Sequence, residues 1–155
     1  MIRMSQRPRR LPPYRESLAG TLLAAREAVM APMRPMLRDA GVTEQQWRVL
    51  RVINDAGSID PTALADAAIL FAPSVTRILK ELVERGLIVR TPDPKDGRRS
   101  LVSLAESGRA LIDNTSRHTI RQLDHFAAAF GQARLAALLD ELGALITAIA
   151  PAEPE

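Results

Sequence analysis

The sequence predicts a mainly α-helical chain that carries one small β-hairpin. Apolar residues recur at steps of three and four over most of its length, the period of helices with one buried face. Two short apolar runs, LIVRT and LVSL, flank the turn-rich segment PDPKDGRRS, the signature of two strands and their connection. Nothing repeats at the period of a solenoid.

The elements follow in order. Residues 1–13 hold three prolines and four arginines, the composition of a flexible basic arm. From Tyr14 to about Arg38, Leu18, Leu22, Val29, Met33 and Met36/Leu37 fall at mostly helical spacings. Pro32 and Pro35 are expected to kink or break this helix, and Gly41 to stop it. Thr43 and Gln46 stand in capping-box spacing at the head of the next helix. Asp60 as N-cap, with Pro61 at the first helical position, begins a short helix to about Ala67. After the connector ILF, a helix from Pro73 to Arg85 groups Val75, Ile78, Leu79, Leu82 and Val83 on one apolar face, and Gly86 ends it. Beyond the hairpin, one helix runs from about Glu106 to Phe130. A last helix carries Leu135, Leu138, Leu139, Leu142, Leu145, Ile146 and Ile149.

Two short helices joined by a tight turn and followed by a two-stranded hairpin make a winged helix-turn-helix, assigned to residues 41–105. The flanking segments, 14–40 and 106–150, are long, apolar on one face and separated in sequence by that module. They are assigned to dimerisation. The leucine stripe of the last helix fits either ordinary core or a dimer seam. Two-fold dimers are the commonest soluble assembly, and a dimer would set two recognition helices about one DNA turn apart.

Composition narrows the function. The chain has 155 residues, enough for one domain with a sizeable core, and ordinary hydrophobic (46%) and charged (25%) fractions. No run approaches the apolar length of a membrane span. The basic N-terminus lacks the apolar region of a secretory signal, so a cytoplasmic protein is expected. With no cysteine, a disulfide scaffold, a thiolate sensor and a Cys-ligated zinc site are excluded. The formal net charge of +3 is unevenly spread. Residues 1–40 carry +5, 41–72 carry −2, 73–100 carry +3 and 101–155 carry −3. Basic charge thus gathers at the N-terminus and around the hairpin, which suggests a polyanionic partner.

The helix from Pro73 presents Ser74, Thr76, Arg77, Lys80 and Glu81 away from its apolar face. Base-reading residues of recognition helices sit near that end. Ala72 offers no side-chain cap, so first-turn N–H groups are expected to be free for a phosphate. The bland alternative is a surface helix capped by water. At the hairpin tip, Lys95, Arg98 and Arg99 cluster beside Gly97. An arginine on a thin turn can enter a minor groove, and the Asp96 carboxylate could hold a guanidinium in position.

The stretch DGRRSLVSLAESG is similar to the wing signature of MarR-type regulators, Asp-x-Arg-x-x-x-Val-x-Leu-Thr-x-x-Gly. Asp96, Arg98, Val102, Leu104 and Gly108 match, whereas Ala105 stands where threonine is usual. The preceding LADAAILFAPSVTRILKELVERGLIVRT resembles the family's helix-turn-helix. Further, LLAAREAVMAPMRPML, TEQQWRVLRVI and ILFAPSVTRIL resemble the branch of homoprotocatechuate-degradation repressors. The resemblance implies a homodimer on double-stranded DNA, at a pseudo-palindromic operator, joined through its N- and C-terminal helices. It implies that Arg98 or Arg99 reaches the minor groove with Asp96 orienting Arg98. Pro73, Ser74, Thr76, Arg77 and Lys80 would face the major groove or its phosphates, and Lys95 belongs to the same surface. Ala105 would cost only a helix cap, about 0.5–2 kcal/mol.

The resemblance also implies a small aromatic carboxylate or phenolic effector, bound between the dimer helices and the DNA-binding lobe. Candidate contacts are Arg15, Arg26, Arg34, Arg48 and Arg51, with Trp47, the one tryptophan, as a flat wall. The alternative is that the arginines pair with Glu16, Glu27 or Asp55 while Trp47 fills the core. The expected function is therefore a ligand-released repressor. An effector-independent architectural DNA-binding protein is the alternative. Catalysis is not expected: His118 and His125 lack a third convergent ligand, and no phosphate loop or nucleophile elbow is present. No metal or cofactor is expected.

Overall fold

The computed structural model describes residues 10–151, so the basic arm expected over residues 1–13 lies outside the described residues up to position 9. The chain enters through a 3₁₀ turn, Tyr14–Glu16, and Ser17 caps α1 (Leu18–Met30) by accepting the Gly20 N–H at 3.0 Å. Gly20 is required there, because a Cβ would lie 1.9 Å from the Tyr14 carbonyl oxygen. Pro32 breaks the helix as expected: a 3₁₀ turn, Ala31–Met33, joins α1 to α2 (Arg34–Asp39). Helix α3 (Glu44–Ala56) opens with the expected capping box, Thr43 and Gln46 exchanging two bonds of 3.1 Å.

Strand β1 is only Ser58–Ile59. Helix α4 (Pro61–Ala68) is capped by Asp60, whose carboxylate accepts the Thr62 and Ala63 N–H groups at 3.0 Å. Helix α5 (Ala72–Glu84) follows, then strands β2 (Ile88–Pro92) and β3 (Ser100–Leu104), helix α6 (Glu106–Phe130) and helix α7 (Gln132–Ile149). The expected two-stranded hairpin is part of a three-stranded antiparallel sheet in the order β1-β3-β2. Ser58 pairs with Ser103 and Ile59 with Val102. Two residues carry no periodic signal, so the third strand exists only because α3 and α4 bring it beside β3.

The core lies under α3, α4, α5 and the sheet, where Val49, Leu50, Ile53, Leu64, Val75, Leu79, Leu82, Ile88 and Val102 are fully buried. Val83, expected on the buried face of α5, is 40% exposed, because it lies one step around the helix from Leu82. Gly108 lets α6 approach the sheet, since a Cβ there would meet the Leu87 carbonyl oxygen at 2.1 Å. The far end of α6 and the whole of α7 project from this core, and no residue of α7 is buried.

Candidate nucleic-acid interface and adjoining cleft

The chain bends by 110° between α4 and α5, within the range of a helix-turn-helix. Ile69 makes the turn in the left-handed region (φ 53°, ψ 54°), and the Leu70 N–H reaches back to the Ala65 carbonyl at 3.0 Å. A β-branched residue seldom adopts this conformation. Phe71, not Ala72, is the N-cap of α5, and it supplies no side-chain cap. The expected free amides are few. Pro73 has no N–H, and the Ser74 and Val75 N–H groups both donate to the Phe71 carbonyl, at 2.9 and 3.1 Å. The amino end of α5 is therefore more apolar and less able to hold an anion than its sequence suggested.

Along α5, Pro73, Thr76, Arg77 and Lys80 are exposed and Ser74 is half-buried. The Thr76 hydroxyl donates to the Ala72 carbonyl at 3.2 Å. Glu81 accepts from the Gln46 amide nitrogen at 2.9 Å and lies 4.0 Å from the Arg77 guanidinium. Gln46 thus ties the head of α3 to the recognition helix, a link that capping-box spacing alone does not announce.

The wing tip spans residues 93–99, all exposed except half-buried Asp93. Asp93 accepts the Lys95 N–H at 2.8 Å, and the Arg99 N–H donates to the Asp96 carbonyl at 2.9 Å. Asp96 does not hold the Arg98 guanidinium as expected. One carboxylate oxygen accepts the Arg98 backbone N–H at 3.1 Å, and the other faces the Arg99 Nε at 3.8 Å. The carboxylate shapes the turn and restrains Arg99, because the tight turn carries the Arg99 side chain back over it. Among the described residues, no carboxylate lies within ion-pair distance of Arg98.

Two shallow clefts place wing and recognition helix on one face. One, of about 440 Å³, is lined by Pro61, Thr62 and Asp66 of α4 together with Arg99 and Ser100, where the wing tip enters β3. The other, of about 270 Å³, is lined by the same three α4 residues with Phe71, Ala72 and Thr76. Helix α4 is therefore the shared floor between them.

The six effector candidates separate. A cleft of about 460 Å³ between α1, α3 and the end of α4 is lined by Arg26, Trp47 and Arg48 with Val29, Met30, Glu44 and Ile69. Trp47 is buried, and its indole N–H donates to the Thr115 hydroxyl of α6 at 3.3 Å. The Arg51 guanidinium, not that of Arg48, stacks on the indole, 5.3 Å from the ring centroid. Arg48 donates to the Ala68 carbonyl at 3.2 Å. Arg34 lines a neighbouring cleft, and Arg15 is exposed in the first turn, away from Trp47's cleft.

Arg26 and Arg34 each bond to both Glu27 and Glu44, at 2.7–3.3 Å. Glu27 was an expected partner; Glu44 was not, because folding alone brings α3 beside α1. Burial works to raise the Glu44 carboxyl, but hydrogen bonds from Arg34 and Arg26 outweigh it and hold the group below its ordinary range. The bond to Glu27, then that to Glu44, raises the Arg34 guanidinium. Among the described residues, no single helix is long and apolar enough to cross a membrane.

A helix-turn-helix whose second helix and basic hairpin flank one floor defines a winged-helix protein of the DNA-binding class. Residues 40–99 match the model of the MarR family. The homoprotocatechuate degradative operon repressor of Escherichia coli is 35% identical over 133 residues, 84% of this chain and 90% of that protein. The structure of NadR in complex with 4-hydroxyphenylacetate superposes with a TM-score of 0.78 at 32% identity, covering 88% of this chain and 96% of that one. The transcriptional repressor CouR, bound to a 23-mer DNA duplex, gives a TM-score of 0.76 at 26% identity, over 84% of this chain and 92% of that one. The chain belongs to the MarR family of transcriptional regulators, and its resemblance to homoprotocatechuate-degradation repressors holds.

Proposed function

We propose that this regulator is a homodimeric, sequence-specific DNA-binding repressor of the cytoplasm, released from its operator by a small aromatic acid or phenol. The lobe of residues 41–105 binds DNA, and segments 14–40 and 106–150 join the protomers. The observation that carries the reading is the common face: the exposed amino half of α5 and the basic wing adjoin the same α4 residues. Pro73, Ser74, Thr76, Arg77 and Lys80 enter or border the major groove, while Lys95 and Arg99 meet phosphates. Arg98 enters the minor groove, because its guanidinium carries no ion pair whereas Arg99 is drawn toward Asp96. Asp96 acts through the turn's backbone.

Dimerisation is supported by the unburied apolar faces of α1, α6 and α7. Leu18, Leu23, Ile120, Leu123, Leu139 and Ile146 are each at least half exposed in the protomer. Apolar side chains left exposed along three helices are what an interface between copies would cover. The protein acts without catalysis; its relative in Escherichia coli is named a repressor.

Arg98→Ala tests the DNA reading. Operator affinity should fall at least tenfold at physiological salt while the helical circular dichroism stays native; unchanged affinity would sink the wing assignment. For the effector, 4-hydroxyphenylacetate, the compound bound in NadR, is the first probe. It should quench Trp47 fluorescence and release the duplex together. One observation favours an effector-independent protein instead. Of the two bases that line the Trp47 cleft, Arg26 is already paired with Glu27 and Glu44 and Arg48 donates to the Ala68 carbonyl. If a panel of aromatic acids and phenols changes neither signal, that second reading stands.

A further inference from the structure

The amino end of α5 is unusual for a surface offered to a polyanion. Phe71 is 75% exposed, Ala72 and Pro73 beside it are exposed, and none of the three carries a polar side chain. Of the first-turn positions, Pro73 has no N–H and the Ser74 N–H donates to the Phe71 carbonyl. Thr76 donates its hydroxyl proton to its own helix. What remains at the tip is an apolar surface built around an aromatic ring, with Arg77 and Lys80 further along the helix and the basic wing across α4.

An exposed phenyl ring gains little in water and gains by covering apolar surface. In the major groove the apolar group that differs among the bases is the 5-methyl of thymine, and phenylalanine is one of the side chains that contacts it. We infer that Phe71 is a specificity-determining residue that reads a thymine methyl in each half-site. The inference rests on the DNA-binding reading above and sharpens it: sequence preference at this position comes from an apolar contact, not from a hydrogen bond or the helix dipole. The occupant is duplex DNA, not a second copy of the chain. The ring lines a cleft with Pro61, Thr62 and Asp66 of α4, the same residues that line a second cleft with Arg99 of the basic wing, whereas the large apolar faces lie on α1, α6 and α7.

The test uses the full chain. A random duplex library is passed over the protein, and the selected sequence is resynthesised with deoxyuridine in place of thymidine, one position at a time. This removes the 5-methyl and leaves the base pair unchanged. By fluorescence anisotropy, the wild-type protein should bind about fourfold more weakly at one thymine per half-site, the worth of one methyl group. Phe71→Ala should bind the thymine duplex more weakly and lose the preference for thymine over uracil there. Phe71→Ser, which also restores a capping hydroxyl, should lose the same preference. Indifference of the wild type to every replacement, or an unchanged preference in both variants, would overturn the inference and leave DNA binding intact. A changed molar mass in Phe71→Ala with the preference unchanged would mark Phe71 as a protein contact, again overturning it. If the full chain selects no sequence, the DNA-binding reading itself fails, and this inference with it.

Discussion

Gly108 and Ala105 show how single positions hold the wing to the body. Gly108 has ordinary helical backbone, so its need is spatial: the Leu87 carbonyl occupies the room a methyl would take. Gly108→Ala should cost about 3 kcal/mol in urea unfolding, at the upper end of overpacking penalties. Ala105, by contrast, leaves α6 without a side-chain cap, while the Ser107 hydroxyl donates to the Gly86 carbonyl at 2.6 Å and Arg109 donates to the Leu104 carbonyl at 2.9 Å. Ala105→Thr should therefore stabilise the protein by about 0.5–2 kcal/mol in the same measurement. Both residues were marked by the wing motif; the reason for the glycine became visible only when α6 was seen against Leu87.

Among the elements, α1, α2 and α3 are clamped by the Arg26, Glu27, Arg34 and Glu44 cluster, of which Arg26 and Glu44 line the Trp47 cleft. Glu44 is held below its ordinary carboxylate range when folded, so its contribution is complete above the unfolded value of about 4.3. That contribution is lost as pH falls through the lower folded value. Between about pH 5 and pH 3 the wild-type melting temperature should fall more steeply than that of Glu44→Gln. Parallel curves would show that the cluster contributes nothing to folding, as exposed ion pairs often do not. Most elements were legible because each carries a local signal. The Thr43–Gln46 box, Asp60, the Pro32 break and Gly86 act within a few residues of themselves, whereas Pro35 sits in the first turn of α2 and does not break it. Strand β1 and the Ile69 turn were not legible. One is too short for a period, and the other uses a residue that the left-handed region disfavours.

For the whole molecule, the protomer looks unfinished. Helix α7 buries none of its residues, and Leu139 and Ile146 are 62% and 67% exposed. Its leucine stripe therefore does not belong to the protomer's core, and the proposed dimer would bury it against a partner copy. Ile146→Asp should shift the molar mass in sedimentation equilibrium from dimer toward monomer. It should also weaken operator binding, because the second recognition helix no longer comes paired. An unchanged dimer would place the seam elsewhere on α1 or α6.

Helix periods, caps, breakers and the wing motif are carried by neighbours in the chain, so the amino-acid order was sufficient for the helices, the hairpin, the winged-helix class and the family. Pairings between distant segments needed the folded chain. Glu44 joins Arg26 and Arg34 across 18 and 10 residues, Gln46 reaches Glu81 across 35, and Trp47 reaches Thr115 across 68. No local preference encodes such contacts; they follow from how whole helices pack. The same holds for Phe71. Its place in the connector ILF says nothing of exposure, and only the 110° bend between α4 and α5 turns its side chain outward at the amino end of α5.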